Sequence, residues 1–444
     1  MALYLYIAMY NFDLSKSDDS DDEKVNDERK KNTVRGLSGL NNQGNTCYMN
    51  SILQCLASLD IFRSWIFDEK YYTRLQSNVT DKLAIEKRKK EHLGENDNIV
   101  IQQKDVDNTC EESVINRLYE LFKTMWKQNA KVTPKSFKQT IGDICSTFRG
   151  YQQQDSQELL NLILDRVHEE TKAEVKVMFR NVPDNVTNYL TYKQECFAIL
   201  NNPLTPVEEK EKCLEEFKSF EKNNMDSVII SNAYVYWKKY IKNAHSIITD
   251  LFTGMFLSKI TCKNCNKVSG SFEAFTILQL PVTEDKDDLK LEDLINSFVK
   301  EEELNGSNQY FCEECQKKVD AVKKVYIWEP PNILVVQLKR YNNNSLKTNH
   351  KNNSTVVFPI QNLDLNGYLS DLHNVNQTKY DLCAISEQRG MLNYGHYVAY
   401  CKNGINNKWY EFDDDDVVHI PNSDLEKELI TKNAYILFYT RKHN

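Results

Sequence analysis

Glycine and proline are scarce in this chain, at 13 and 9 of 444 residues. Collagen-like and low-complexity architectures, which are rich in those residues, are thereby excluded. A basic surplus is missing too: 56 Lys and Arg against 64 Asp and Glu leave a formal charge of −8. Nucleic-acid binders gain affinity by neutralising phosphates, so no nucleic-acid partner is expected. No apolar run approaches the ~20 residues that cross a bilayer, and no membrane span is expected. The opening Met1–Tyr10 is apolar, but without a basic flank or a small-residue cleavage site it reads as an edge strand or tail. Twelve cysteines are too dilute for a disulfide-stapled mini-fold. The expectation is a soluble intracellular protein, cytoplasmic or nuclear.

What is present fits a folded chain, with 41% hydrophobic and 27% charged residues. Residues 13–32 carry Asp18, Asp19, Asp21, Asp22 and Glu23 with almost no apolar content. Burial cannot offset the ordering entropy of such a run, so residues 1–35 are predicted to be a mobile acidic leader. From Cys47 to Leu59, Tyr48, Ile52, Leu56 and Leu59 recur at helical spacing. Further helices are predicted over Val114–Trp126 and Ser156–Val167. Residues 76–109 and 181–232 are polar and read as surface insertions. After about residue 245 the pattern changes to short strands rich in β-branched and aromatic residues: Met255–Thr261, Phe272–Leu280, Val325–Trp328 and Ile333–Leu338. More follow from Tyr380 to Tyr439. Helices first and strands later predict an α+β fold.

The segment Gly39-Leu40-Asn41-Asn42-Gln43-Gly44-Asn45-Thr46-Cys47 is a turn-forming run that ends in a cysteine opening a helix. Free backbone N–H groups and the positive dipole end favour thiolate over thiol at such a place. The same groups could bind an oxyanion, with the Asn42 amide as a further donor. This segment alone leaves a buried structural cysteine equally open.

A thiol nucleophile needs a base, and the base needs an orienter. His396 follows Gly395 on a predicted strand that ends at Lys402; Lys408–Phe412 returns after the turn residues Asn403–Asn406. A hairpin centred between Gly404 and Ile405 sets His396 opposite Asp413. A slip of one residue would present Phe412 or Asp414 instead. A satisfied strand histidine and a solvated acidic loop are the plain alternatives, but Cys47, His396 and Asp413 together favour thiol catalysis.

Two C-x-x-C pairs, Cys262/Cys265 and Cys312/Cys315, are flanked by strand-like sequence. Knuckles at two hairpin ends can offer four thiolates tetrahedrally, which suits structural Zn2+. A thioredoxin-like redox role would need a βαβ setting, which is missing.

Gly39–Leu56 resembles the Cys box of the ubiquitin-specific proteases, the papain-like deubiquitinases. Tyr394–Val417 resembles their His box, and Gln153–Leu160 their intermediate box. Asp250–Gly254 and Gln337–Tyr341 also follow the family order. Gln43 stands where leucine is common and Leu160 where phenylalanine is common. The resemblance implies one catalytic domain over residues 36–441, with a papain-like core and zinc-ribbon β fingers. Residues 36–245 would form a helical thumb, 246–340 the fingers and the start of the palm, and 341–441 the palm with the His box.

It further implies Cys47 as nucleophile, His396 as base, Asp413 as orienter and Asn42 in the oxyanion hole. A bend after Phe412 would bring Asp414 toward that hole. The implied partners are ubiquitin and ubiquitinated proteins, cleaved after the C-terminal glycine. Asp155 and Glu158, three apart at a helix start, would suit the arginines of the ubiquitin tail. Tyr394 and Tyr397 would narrow the channel for its Gly-Gly end. No cofactor is needed for the chemistry, and zinc would hold the fingers that grip ubiquitin. A catalytically weak ubiquitin-binding scaffold, or a protease for a ubiquitin-like modifier, remains the alternative.

Overall fold

The first helix, α1 (Cys47–Ser58), buries nearly every side chain it carries, including Tyr48, Met49, Ile52, Leu53, Cys55 and Leu56. A helix buried on nearly all sides, with Asn50, Ser51 and Gln54 covered along with the apolar residues, lies inside the molecule. In the computed structural model, which describes residues 34–92, 99–179, 182–282, 289–341, 351–391 and 394–442, α1 is packed by helices on one side and by a large sheet on the other. Residues 1–33 of the expected leader lie outside the described residues.

Around α1 come α2 (Asp60–Phe67), α3 (Tyr71–Glu91), α4 (Gln103–Glu111), α5 (Val114–Lys127), α6 (Lys135–Ile144) and α7 (Ser156–Thr171). α5 turns in Leu118, Leu121, Phe122 and Met125, and α7 turns in Leu159, Leu160, Ile163 and Val167. Both start on side-chain caps: Ser113 accepts from the Asn116 N–H and Asp155 from the Gln157 N–H. The polar segment 76–109 contributes most of α3 and α4, whose Val79 and Val106 join the main core. The segment 181–232 holds α8 (Asp184–Asn201), α9 (Val207–Asn223) and the first part of α10 (Met225–Lys242). Ile229, Ala233 and Trp237 of α10 pack on Met255, Leu257 and Trp328 of the strands that follow. A short α11 (Ile247–Leu251), capped by Ser246 and Thr249, closes the helical half. Among the described residues no helix is long and apolar enough to cross a membrane.

The strands are β1 (Gly254–Cys262), β2 (Val268–Phe275), β3 (Ile277–Pro281), β4 (Leu289–Lys290), β5 (Glu302–Leu304), β6 (Tyr310–Cys312), β7 (Lys317–Val319), β8 (Ala321–Glu329) and β9 (Ile333–Lys339). Then follow β10 (Val356–Val357), β11 (Leu363–Asp364), β12 (Lys379–Met391), β13 (Tyr394–Lys402), β14 (Trp409–Asp413), β15 (Asp416–Ile420) and β16 (Ala434–Arg441). An antiparallel sheet of order β2-β1-β8-β5 carries the first cysteine knuckle at its β1–β2 turn, and the second knuckle is the turn of a separate β6-β7 hairpin. The larger sheet runs β15-β14-β13-β12-β16-β9-β3, antiparallel except for the β3–β9 pair. Its two faces serve two cores. Tyr397, Ala399 and Cys401 point into the helical core, and Val398 and Tyr400 into a second core with Leu437 and Tyr439. Helices preceding strands, packed on a mainly antiparallel sheet, make this an α+β fold, as expected.

One expectation of register needs correction. Lys402 pairs with Trp409 and Ala399 with Phe412, so the hairpin is offset by two residues from the one predicted. The loop is two residues longer than predicted, taking in Asn407, with a left-handed φ of 57°, and Lys408, and its ends meet as Asn403 N–H donates to the Lys408 carbonyl at 2.9 Å. Side chains alternate with period two, so an offset of two leaves His396 and Asp413 on the same face.

Candidate active site

Cys47 is the first residue of α1 and is 1% exposed. The loop ahead of it is held by its own polar groups. Asn42 Oδ1 accepts from the N–H groups of Gly44 (2.9 Å) and Thr46 (3.1 Å), and Thr46 Oγ1 accepts from the Gln43 N–H at 2.8 Å. The loop reverses at Gly44 and Asn45, with φ of 98° and 54°, which glycine and asparagine tolerate best.

The tight turn between β14 and β15 anchors this loop from the sheet side. Asp414 sits there with a left-handed φ of 52°. Its Oδ2 accepts from Asn42 Nδ2 at 2.9 Å, and its Oδ1 from Asn50 Nδ2 at 2.8 Å. Its carbonyl accepts from the Leu40 N–H at 2.8 Å. Gly39 lies so close to the turn that a Cβ there would fall 2.3 Å from the Asp415 carbonyl oxygen. The strand does not end at Phe412 as expected but runs on through Asp413, and the turn at Asp414 and Asp415 delivers Asp414 to the Asn42 loop.

Asp413, one residue earlier, serves the histidine. His396 Nε2 lies 2.5 Å from Asp413 Oδ1, a diagonal contact rather than a directly paired one. That leaves Nδ1 for the thiol of Cys47, the strongest influence on the ring's protonation. The Cys47 contact, opposed by desolvation and aided by Asp413, raises the His396 pKa from 6.5 to about 9. Arg389, paired with His396 across β12 and β13, donates to Glu411 (2.7 Å) and to the Tyr400 hydroxyl (2.6 Å). Its guanidinium stands 4.0 Å from Asp413 Oδ2.

Four other expected residues are placed less uniformly. Asp155 caps α7 and accepts from the Tyr435 hydroxyl at 2.8 and 3.0 Å. Burial raises its pKa, and those bonds partly offset the rise. Glu158 is exposed on the first turn of α7. Tyr397 is 1% exposed and faces the helical core beside Tyr435, with ring centroids 6.5 Å apart, so its ring stands behind the site. The Tyr394 side chain lies outside the described residues.

The second cluster is the four-cysteine one. The sulfurs of Cys262, Cys265, Cys312 and Cys315 all lie within 4.8 Å of one another, and none of the four is in a disulfide. Cys262 and Cys315 are 3.9 Å apart, Cys265 and Cys312 3.6 Å. Tetrahedral Zn–S bonds of about 2.3 Å put sulfurs about 3.8 Å apart, so the donor set fits zinc. Each pair is followed by a left-handed residue, Asn266 (φ 58°) and Gln316 (φ 52°), and backbone N–H groups of Asn264 and Cys265 donate to Cys262 Sγ. The β1 strand separates this cluster from the large sheet by nine residues, roughly 30 Å of extended chain.

Sequence reasoning passed over Asn50, Gln153 and Tyr435. Asn50 alone carried a usable signal: an amide side chain on a mostly apolar helix, one turn after Cys47.

Comparison with known proteins is consistent in direction. The family model for ubiquitin carboxyl-terminal hydrolase matches residues 38–439. A protein of Acanthamoeba polyphaga mimivirus, named a probable ubiquitin carboxyl-terminal hydrolase, is 29% identical and aligns with 94% of this chain and 92% of its own length. The human protein named ubiquitin carboxyl-terminal hydrolase 2 is 30% identical over 92% of this chain, which spans only 55% of that protein. The solved SAGA Ubp8/Sgf11/Sus1/Sgf73 module bound to ubiquitin aldehyde shares the fold, with a TM-score of 0.60 at 22% identity over 92% of this chain and 70% of that one. The same module bound to monoubiquitin gives 0.58 at 23%, over 94% and 73%.

The geometry makes a direct prediction for His396. A group whose pKa is raised by folding contributes stability that is complete below its ordinary pKa and lost as pH rises through the folded one, here from 6.5 to about 9. NMR titration of the His396 ring should therefore give a midpoint near 9. In Cys47→Ala the midpoint should fall toward the ordinary value, and an unchanged midpoint would show that the thiol is not the cause.

Proposed function

Because the chain belongs to the ubiquitin carboxyl-terminal hydrolases, cysteine-type deubiquitinating enzymes, we propose that Cys47, His396 and Asp413 hydrolyse the bond after the C-terminal glycine of ubiquitin. The carrying observation is one imidazole held by the Asp413 carboxylate at 2.5 Å and raised in pKa chiefly by the neighbouring Cys47. Cys47 Sγ attacks the glycine carbonyl with its proton held on His396, whose raised pKa keeps the ring protonated at neutral pH. The C–N bond breaks, His396 gives that proton to the leaving amine, and a thioester remains. Water then attacks the thioester with His396 as base, and the sulfur leaves as the carboxylate forms. Asp413 keeps the imidazole turned toward the thiol throughout.

Asn42 and the first amides of α1 supply donors for the tetrahedral oxyanion. The Asn42 loop is braced by Asp414, so this carboxylate acts on the chemistry through Asn42. Asp155 and Glu158 present negative charge to the arginine-bearing ubiquitin tail. Asp155 retains acceptor capacity beyond its bonds to Tyr435 and Gln157, since a carboxylate offers about four lone-pair sites. Glu158 is open to solvent. Ubiquitinated proteins are the proposed substrates.

Turnover of ubiquitin and of ubiquitin-like modifiers, each fused to a fluorogenic leaving group, tests this reading. Ubiquitin should be hydrolysed, and Cys47→Ser should abolish turnover while still binding ubiquitin. Binding without turnover in the unmodified protein would favour a scaffold, and preference for another modifier would reassign the substrate.

Zinc is proposed at Cys262, Cys265, Cys312 and Cys315, where it would cross-link the two knuckles. Four protein ligands leave no open position for water or substrate. Replacing Cys312 should then lower stability and ubiquitin binding through lost folding free energy. Metal analysis of the folded, active protein should find about one equivalent, and less than about half would count against the site.

A further inference from the structure

Gln153 precedes α7 on the helical side of the cleft, and its carboxamide reaches across to the strand that carries His396. Its Oε1 accepts from the Gly395 N–H at 2.7 Å, and its Nε2 donates to the Gly395 carbonyl. One side chain thus satisfies both backbone groups of the residue that precedes the histidine.

The need for such a partner follows from the sheet. Gly395 is paired with Gly390 on β12, but both its polar groups go to Gln153 and so face the opposite edge. On that edge the β13–β14 ladder begins only at Ala399 and Phe412, because β14 ends at Asp413 and the chain turns back into β15. Gly395 is buried, and buried peptide groups left unpaired are costly. A carboxamide offers donor and acceptor together, as a peptide unit does. Gln153 fills the place of the absent strand.

The clamp is firm at both ends. Gly395 is confined from behind: a Cβ there would fall 2.6 Å from the Arg389 and Met391 carbonyl oxygens. On the other side Asp155, two residues after Gln153, is fixed by the α7 amide and by Tyr435. We propose that Gln153 is a positioning residue, which by holding Gly395 sets His396 where its ring meets both Cys47 and Asp413. This proposal rests on the assignment of His396 as the catalytic base. Gln153 touches no reacting atom and acts through the histidine, where small displacements carry large rate penalties.

Two substitutions test it in the full chain. Gln153→Ala removes the amide and its bulk, whereas Gln153→Met keeps the bulk and loses both hydrogen bonds. Both should lower kcat for a ubiquitin-fused fluorogenic substrate by about ten- to hundredfold. KM should change by less than about twofold, since the loss is confined to the chemical step. The thermal midpoint should fall by only a few degrees, the cost of the two unpaired Gly395 groups, binding of free ubiquitin should be retained, and the His396 titration midpoint should drop in both variants as the thiol contact loosens. Restored kcat in Gln153→Met would reduce the role to packing and overturn the proposal. So would a loss carried wholly by KM, or an unchanged His396 titration in both variants. Failure of the unsubstituted protein to release ubiquitin would instead sink the proposed activity, and the His396 titrations would still decide the clamp.

Discussion

Two successive carboxylates in one tight turn organise this site. Asp413, the last residue of β14, holds His396. Asp414, in the turn itself, holds the Asn42 loop and the first helix through Asn42, Asn50 and the Leu40 amide. The histidine belongs to the sheet and the cysteine to a helix, more than three hundred residues apart in sequence. Packing alone brings such elements together only approximately. The turn supplies discrete hydrogen bonds to both sides, and each is charge-assisted where the carboxylate accepts. Gly39 and the left-handed Asp414 are the local conditions for this arrangement: one lets the loop approach the turn, and the other lets the strand reverse in two residues.

Beneath the turn lies a sheet buried on both faces. β13 sends alternate residues into two cores, so it has little freedom to slide, and α1 is enclosed by the same helical core. The proposed reacting pair therefore rests on a buried helix and on an inner strand of the sheet, a rigid setting suited to a site that must hold its geometry. The zinc-fitting knuckles sit at the far end of the β2-β1-β8-β5 sheet. Their proposed role is mechanical, and no step of the proposed reaction passes through them.

Much of this was legible in the sequence. Helical spacing after Cys47 marked α1, the shift to short β-branched runs marked the sheets, and the two C-x-x-C pairs marked the knuckles. The contact between His396 and Asp413 was reached by a hairpin two residues out of register, and it survived because the error was even. Of the two extra loop residues, Asn407 and Lys408, the left-handed Asn407 has no sequence feature that separates it from its asparagine neighbours at 403 and 406. Tyr397 looked like a channel wall because strand alternation does not tell which face meets the cleft, and the fold turns it inward. Gln153 was visible only as part of a motif. Its task is set by where β14 ends, a property of the whole sheet.

The central claim is that the turn serves both halves of the site, with Asp413 acting on the histidine and Asp414 on the oxyanion loop. Turnover numbers for Asp413→Ala and Asp414→Ala, measured side by side on ubiquitin carrying a fluorogenic leaving group, test it most directly. Both should lose kcat with ubiquitin binding little changed, and Asp413→Ala should lose more because the base itself is freed to rotate. Wild-type turnover in Asp413→Ala, or a larger loss in Asp414→Ala, would contradict this division of labour.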